Sequence, residues 1–180
     1  MRESFTFVGP WGGLSTLEGT TQLIRASMLN NLPRVLQLIQ LGAQLDLIDQ
    51  SAGWRFSALH WASHLGNEHV VAALLEGKYK GADVVQVCGN WTALERASYC
   101  GHVGVVRVLL ARGAKQVRLG TAMYWAVRYN RVEVVKLLLA APGASDALKK
   151  KHGGRTPLKA AIDEGRADIE ALLRAAGAPE

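Results

Sequence analysis

Two cysteines, Cys88 and Cys100, are all that the 180 residues contain. So few exclude a disulfide-stapled scaffold and fit two reduced thiols in a cytoplasmic or nuclear protein. No run of 18 or more apolar residues occurs, so no membrane span is expected. The opening "MRESFTFVGPW" places an acidic residue at position 3 and has no apolar core, so it does not read as a secretory signal. Charge is sparse, 20% against 49% hydrophobic residues, which argues against disorder and allows a core to be buried without staples.

The chain also lacks a catalytic constellation. Its histidines are His60, His64, His69, His102 and His152. His64 and His69 flank Gly66 and are not a same-face i, i+4 metal pair. The spacing of Cys88, Cys100 and His102 matches no metal signature. "GPWGG" at 9–13 is glycine-rich but has no following Lys-Ser/Thr, so it is not a phosphate loop. Asp163 and Glu164 are sequence neighbours, which point in different directions on a helix and do not form an acid/base pair. The expectation is a protein that is not an enzyme and has no cofactor, metal or small-molecule substrate.

What the sequence has in abundance is itself. Stretches opening at Thr21, Ser57, Thr92, Thr121 and Thr156 repeat one pattern, with spacings of 36, 35, 29 and 35 residues. Such a period marks stacked units. In each unit a large and a small apolar residue lie about one turn apart: Leu23/Ala26, Leu59/Ala62, Leu94/Ala97, Met123/Ala126 and Leu158/Ala161. They share one face of a short helix and let its neighbours approach closely. The tenth residue is Asn30, Gly66, Gly101, Asn130 or Gly165. These residue types enter the left-handed conformation most cheaply, and helices commonly stop there. A second helix follows, with aliphatic residues bunched on one side, such as Val105, Val106, Leu109 and Leu110. Each unit closes on Gly-Ala, at 42–43, 81–82, 113–114, 143–144 and 177–178, again read as a C-cap. Neither helix buries its apolar face alone, so the units stack. Burying four large aliphatics of one second helix contributes on the order of 6–12 kcal/mol before entropy is subtracted.

"TPLKAAIDEGRADIEALLRAAGA" and "GHVGVVRVLLARGA" resemble the ankyrin repeat, and the resemblance covers about residues 17–178. It implies an all-α solenoid of about five helix-turn-helix units with short extended fingers over 17–180, preceded by a tail or cap at 1–16. Only the second unit keeps the family's His, at His60, which the resemblance assigns a structural link to the Ser57 hydroxyl and nearby backbone. Ile24, Glu95, Tyr124 and Lys159 stand there in the other units, whose turns are expected to be held less firmly. Arg34 and Gln37 in the first unit, and Glu170 and Arg174 in the last, put polar residues on the outer faces that a solenoid needs at its ends. "KQVRLG" is too short for a full finger between the third and fourth units, so the groove is expected to be interrupted there.

The resemblance further places binding on the concave side: the finger residues and the exposed ends of the first helices. On this chain those positions hold Trp54, Arg55, Phe56, Trp91, Arg118 and Arg155 at the fingers, and His64, Tyr99, Arg128 and Tyr129 on the helices. Aromatic residues and arginine dominate binding hot spots. The expected function is therefore a protein–protein interaction module, an adaptor or subunit of a larger assembly. Its partner is expected to be a protein segment that is acidic or mixed apolar–acidic where it meets Arg118, Arg128 and Arg155. The net charge of +6 is uneven: residues 1–90 carry six basic and seven acidic residues, and 91–180 carry fifteen and eight. With "LKKKHGGR" at 148–155 this prompts a rival reading, nucleic-acid association through the basic half, but one lysine run without a nucleic-acid fold is weak support. "SFTFVGPWGGL" alternates Phe5 and Phe7 with polar residues, a strand-like pattern that either caps the first unit or docks on a partner.

Overall fold

The computed structural model describes residues 6–8, 14–16, 22–49, 55–76, 81–114 and 118–179. Thr21, Trp54, the 9–13 stretch and residues 77–80 lie outside them.

Five helix pairs follow one another. They are α1 (Gln22–Met28) with α2 (Leu32–Gln40), α3 (Ala58–Leu65) with α4 (Glu68–Glu76), and α5 (Ala93–Cys100) with α6 (Val103–Ala111). A fourth pair is α7 (Leu119–Arg128) with α8 (Val132–Leu139); after an added α9 (Ala144–Lys149), α10 (Pro157–Asp163) pairs with α11 (Ala167–Ala175). First helices pack on first helices and second on second, giving two layers. The large/small pairs read from the sequence form the seam: all ten residues are buried. Val70, Val71 and Leu74, Val105, Val106 and Leu109, and Val134, Val135 and Leu138 fill the second layer. Outside the helical array, β1 (Thr6–Val8) and β2 (Leu14–Thr16) pair antiparallel with Phe7 opposite Ser15, so the alternation around Phe7 does form a strand.

The turn between paired helices follows from the tenth residue. Asn30, Gly66, Gly101, Asn130 and Gly165 all take positive φ, between 53° and 88°. At Gly101 an added Cβ would also lie 2.7 Å from Cδ of Arg131. The following residue ties each unit to the one before it. Asn67 Nδ2 donates to the Ser27 carbonyl (2.8 Å), His102 Nε2 to that of His64 (2.9 Å), Arg131 Nε to that of Tyr99 (3.1 Å) and Arg166 Nη2 to that of Arg128 (3.5 Å). Each such bond contributes about 1 kcal/mol. His102 is thus an inter-unit tie.

The Gly-Ala endings do not all work alike. Gly42, Gly113 and Gly177 take left-handed φ just past α2, α6 and α11. At Gly81 the demand is for space, since a Cβ would sit 2.1 Å from the Leu75 carbonyl oxygen. Gly143 does not end the fourth unit's second helix: α8 stops at Leu139, and Gly143 is the N-cap of α9.

Fingers occupy three of the four junctions, marked by backbone bridges between Ile48 and Ser57, Cys88 and Trp91, and His152 and Arg155. Gly89-Asn90 and Gly153-Gly154 sit at the tips with φ of 55° and 69°, and 57° and 81°, as a two-residue turn with positive φ at both central positions requires. At the junction after α6 the rings continue, Trp91 lying 4.9 Å from Trp125; there is no bridge among the described residues, which omit 115–117, and α7 begins at Leu119. This early start corrects one boundary. Ser57, Thr92 and Thr156 are helix N-caps, but Thr121 lies inside α7, whose N-cap is Arg118 at φ +61°.

The first and last units carry the expected polar faces: Arg34 Nη1 donates to Gln37 Oε1 (2.6 Å), and Arg174 Nε to Glu170 Oε1 (2.9 Å). Cys88 and Cys100 are free thiols. Among the described residues no helix is long and apolar enough to cross a membrane.

Candidate partner-binding face

The helix openings decide which side chains are already committed. In the second unit His60 is fully buried; its Nε2 lies 3.0 Å from the Trp91 carbonyl and its Nδ1 2.8 Å from the Ser57 hydroxyl. A carbonyl only accepts, so Nε2 carries the hydrogen and Nδ1 accepts from Ser57. Burial, reinforced by the charge of Arg96, brings the His60 pKa down to about 4 and keeps the ring neutral. In the third unit Glu95 replaces this histidine, and the turn is no looser for it. The Thr92 amide donates to Glu95 Oε2 (2.8 Å) while the Glu95 amide donates to Thr92 Oγ1 (3.2 Å), a reciprocal capping box. Arg118 Nε then lies 3.0 Å from Glu95 Oε1. Burial raises the Glu95 pKa; the Thr92 amide and Arg118 oppose that rise.

Inward from these openings, the fingers and first helices form one band of rings. Phe56 packs edge-on to Trp61 with centroids 5.4 Å apart, and Trp61 lies 6.1 Å from His64. Trp91 lies 5.7 Å from Tyr99 and 4.9 Å from Trp125. Tyr99 lies 4.3 Å from Tyr129, and Trp125 5.2 Å from His152. Such pairs each contribute about 0.5–1.5 kcal/mol beyond burial. Arg96 joins the two halves. Its Cζ lies 5.2 Å from the Phe56 ring centroid, 4.8 Å from that of Trp91 and 5.1 Å from that of Tyr99, within cation–π range of all three. Its Nη2 lies 3.2 Å from His64 Nδ1, making that nitrogen an acceptor, and Cys100 Sγ lies 3.1 Å from the same atom. Burial first, then Arg96 and His102, bring the His64 pKa to about 4.

The residues expected to meet a partner are placed unevenly. Trp54 lies outside the described residues. Arg55 is exposed, with φ +48°. Phe56, in the finger bridged by Ile48 and Ser57, is buried at 1% exposure and offers no surface. His64, Trp91 and Tyr99 are half-buried members of the band, and Tyr129 is exposed at its edge. Arg118 is engaged with Glu95 and donates to the Asn90 carbonyl (2.9 Å). Arg128 lies 5.8 Å above Trp125, and its Nε is 3.9 Å from Glu164. Arg155 Nη1 is 3.6 Å from Asp163. Trp91, Tyr99, Trp125, Tyr129 and Arg128 therefore belong together; Arg55 and Arg118 stand apart. The residues that the sequence reading left out of the site are Trp61, Arg96 and Trp125. The signal lay in the fifth position of the units, which holds Trp61, Arg96 and Trp125 in succession.

Among the described residues no group of His, Cys, Asp and Glu is placed to hold a metal ion. A family model for ankyrin repeats (three copies) matches residues 23–119 and again 115–179. The chain is an ankyrin-repeat protein. It is 29% identical to the nuclear factor NF-kappa-B p105 subunit of Mus musculus over 145 residues, covering 77% of this chain and 14% of that one. It is 35% identical to ankyrin repeat domain-containing protein SAT10 of Stachybotrys chartarum over 134 residues, covering 71% of this chain and 7% of that one. The ankyrin-repeat chain thus spans a small part of the length of these relatives. The crystal structure of the human ASB11 ankyrin repeat domain superposes with a TM-score of 0.72 at 30% identity, covering 88% of this chain and 70% of that one. Ankyrin repeats are in general protein–protein interaction modules, and the fold is a binding scaffold.

Proposed function

We propose that this chain is a non-enzymatic interaction module, an adaptor or subunit of a larger assembly, that holds an acidic or apolar–acidic segment of a partner protein along the concave face formed by its fingers and first helices. The observation that carries the reading is the band itself. Trp91, Tyr99, Trp125 and Tyr129 lie side by side, partly open to solvent, with the exposed guanidinium of Arg128 over Trp125. Rings already packed against one another lose little conformational freedom when a partner covers them, so their burial goes largely into affinity. Arginines at the edge select a negative segment and steer its approach through charge-assisted hydrogen bonds.

The test is a triple variant, Tyr99→Ala, Tyr129→Ala and Arg128→Ala, used as bait in native extract beside the wild type, with mass spectrometry of what each retains. The expected result is a protein retained by the wild type, lost from the variant, and released from the wild type as salt rises. Undiminished recovery by a variant with an unchanged helical spectrum would remove this face from consideration.

A further inference from the structure

The cations at the C-terminal end of the band are paired more loosely than most; Lys149 and Asp146, within α9, are as far apart at 3.7 Å but are two-thirds or more exposed. Glu95 and Arg118 make a close pair at 3.0 Å around a carboxylate that is 1% exposed. Lys136 with Glu133 and Arg174 with Glu170 are close pairs, at 2.7 and 2.9 Å, within single outer helices. Arg128 and Arg155 are held at longer range. Arg128 Nε stands 3.9 Å from Glu164 and Arg155 Nη1 stands 3.6 Å from Asp163, both beyond hydrogen-bonding distance. Both arginine side chains are nearly half exposed (42% and 45%), and both carboxylates are about one-third exposed (33% and 32%). Asp163 also has a nearer cation, Lys159 Nζ at 3.2 Å, one helical turn away, so it keeps a partner if Arg155 leaves. Arg128 rests on Trp125 and reaches the Tyr124 hydroxyl at 3.4 Å, contacts that do not depend on Glu164.

Each guanidinium carries five N–H donors in a planar fork that fits a carboxylate through two parallel bonds. At this end two such forks are turned to adjacent carboxylates at the C-terminal end of α10 that hold them only by long-range attraction. We infer that Asp163 and Glu164 are internal stand-ins for a partner's carboxylates, and that the partner segment carries two acidic side chains, beside an apolar one seated on Trp125 and Tyr129, which take Arg155 and Arg128 from them. This rests on the reading that the partner lies along the inner face. The exchange conserves charge at the arginines, one carboxylate replacing another. It also sets a threshold: a negative segment without the apolar anchor gains little over the carboxylates already there, so the site discriminates against polyanions at large.

The experiment selects a randomised peptide display library on the full wild-type chain. Fluorescence anisotropy then measures the recovered peptides on the wild type, on Asp163→Asn/Glu164→Gln and on Trp125→Ala. The expected peptides carry two acidic residues and an apolar one, and bind the Asp163→Asn/Glu164→Gln protein about five- to tenfold more tightly at low salt, as loss of two exposed competing pairs allows. Their glutamine-substituted forms bind both proteins alike. Acidic peptides that need Trp125 yet bind Asp163→Asn/Glu164→Gln no more tightly would overturn the stand-in inference and leave the inner face as the site. Peptides indifferent to Trp125→Ala, or a library that yields none, would overturn the inner-face reading itself.

Discussion

Acidification should loosen this protein through its neutral, buried imidazoles, and the share that belongs to His60 follows from its surroundings. His60 is fully buried, and its pKa is lowered from 6.5 to about 4, chiefly because burial disfavours the charged ring. An unfolded chain takes up the proton near 6.5 and the folded one near 4, so below 6.5 the unfolded state binds more protons. The stability that the neutral ring provides is therefore whole above pH 6.5, declines as pH falls, and is gone below pH 4. The full span corresponds to about 3 kcal/mol, of which about 2.5 kcal/mol has been lost at pH 4.5. The assay is urea unfolding followed by far-UV circular dichroism, for wild type and His60→Ala, at pH 7.5 and pH 4.5. Titrations common to both proteins cancel in the difference. At pH 7.5 the variant should be less stable by about 3 kcal/mol, having lost a buried side chain and its two hydrogen bonds. At pH 4.5 the gap should nearly close. A gap of the same size at both pH values would refute the assignment of a neutral, buried His60.

Gly101→Ala, which must adopt φ +88° with its Cβ 2.7 Å from Arg131 Cδ, should lower stability by about 1–2 kcal/mol in chemical denaturation. Asn67→Ala removes the bond to the Ser27 carbonyl and should cost about 1 kcal/mol; amide exchange should quicken in α1 and remain unchanged in α11. Arg96→Leu removes the positive charge and the donor facing His64 Nδ1, so the His64 pKa should rise, read by NMR titration of its ring protons.

Most of the solenoid could be read from residue types because local backbone demands dictate them. A left-handed turn admits Asn30, Gly66, Gly101, Asn130 and Gly165 at little cost, and a close helix seam admits Ala26, Ala62, Ala97, Ala126 and Ala161. The misread features depend on what lies opposite. Thr121 has the residue type of an N-cap, but the helix begins two residues earlier, at Leu119, with Arg118 as its N-cap. Gly143 has the residue type of a C-cap, but it opens α9, whose Ala147 and Leu148 are buried. At the candidate face the finger aromatics were legible as a group, while their individual exposure was not. Phe56 turns inward at 1% exposure because Trp61 and Arg96 receive it, and Arg96 is itself covered, at 3% exposure, because stacking brings it residues 56, 91 and 99. Glu95 shows the same limit, since its loss of the family histidine looked like a weakness until Thr92 and Arg118 were seen around it.

The ties running back from each second helix lengthen along the array, from 2.8 Å at Asn67 to 3.5 Å at Arg166. In a row of units that touch only their neighbours, the most weakly moored member peels away first. One end of that row is the α10–α11 pair, with Arg155 just before it and Asp163 and Glu164 at the end of α10. A guest seated across Arg128 and Arg155 bridges this very joint and splints it, so occupancy of the groove and slower fraying of the last two helices are one and the same event.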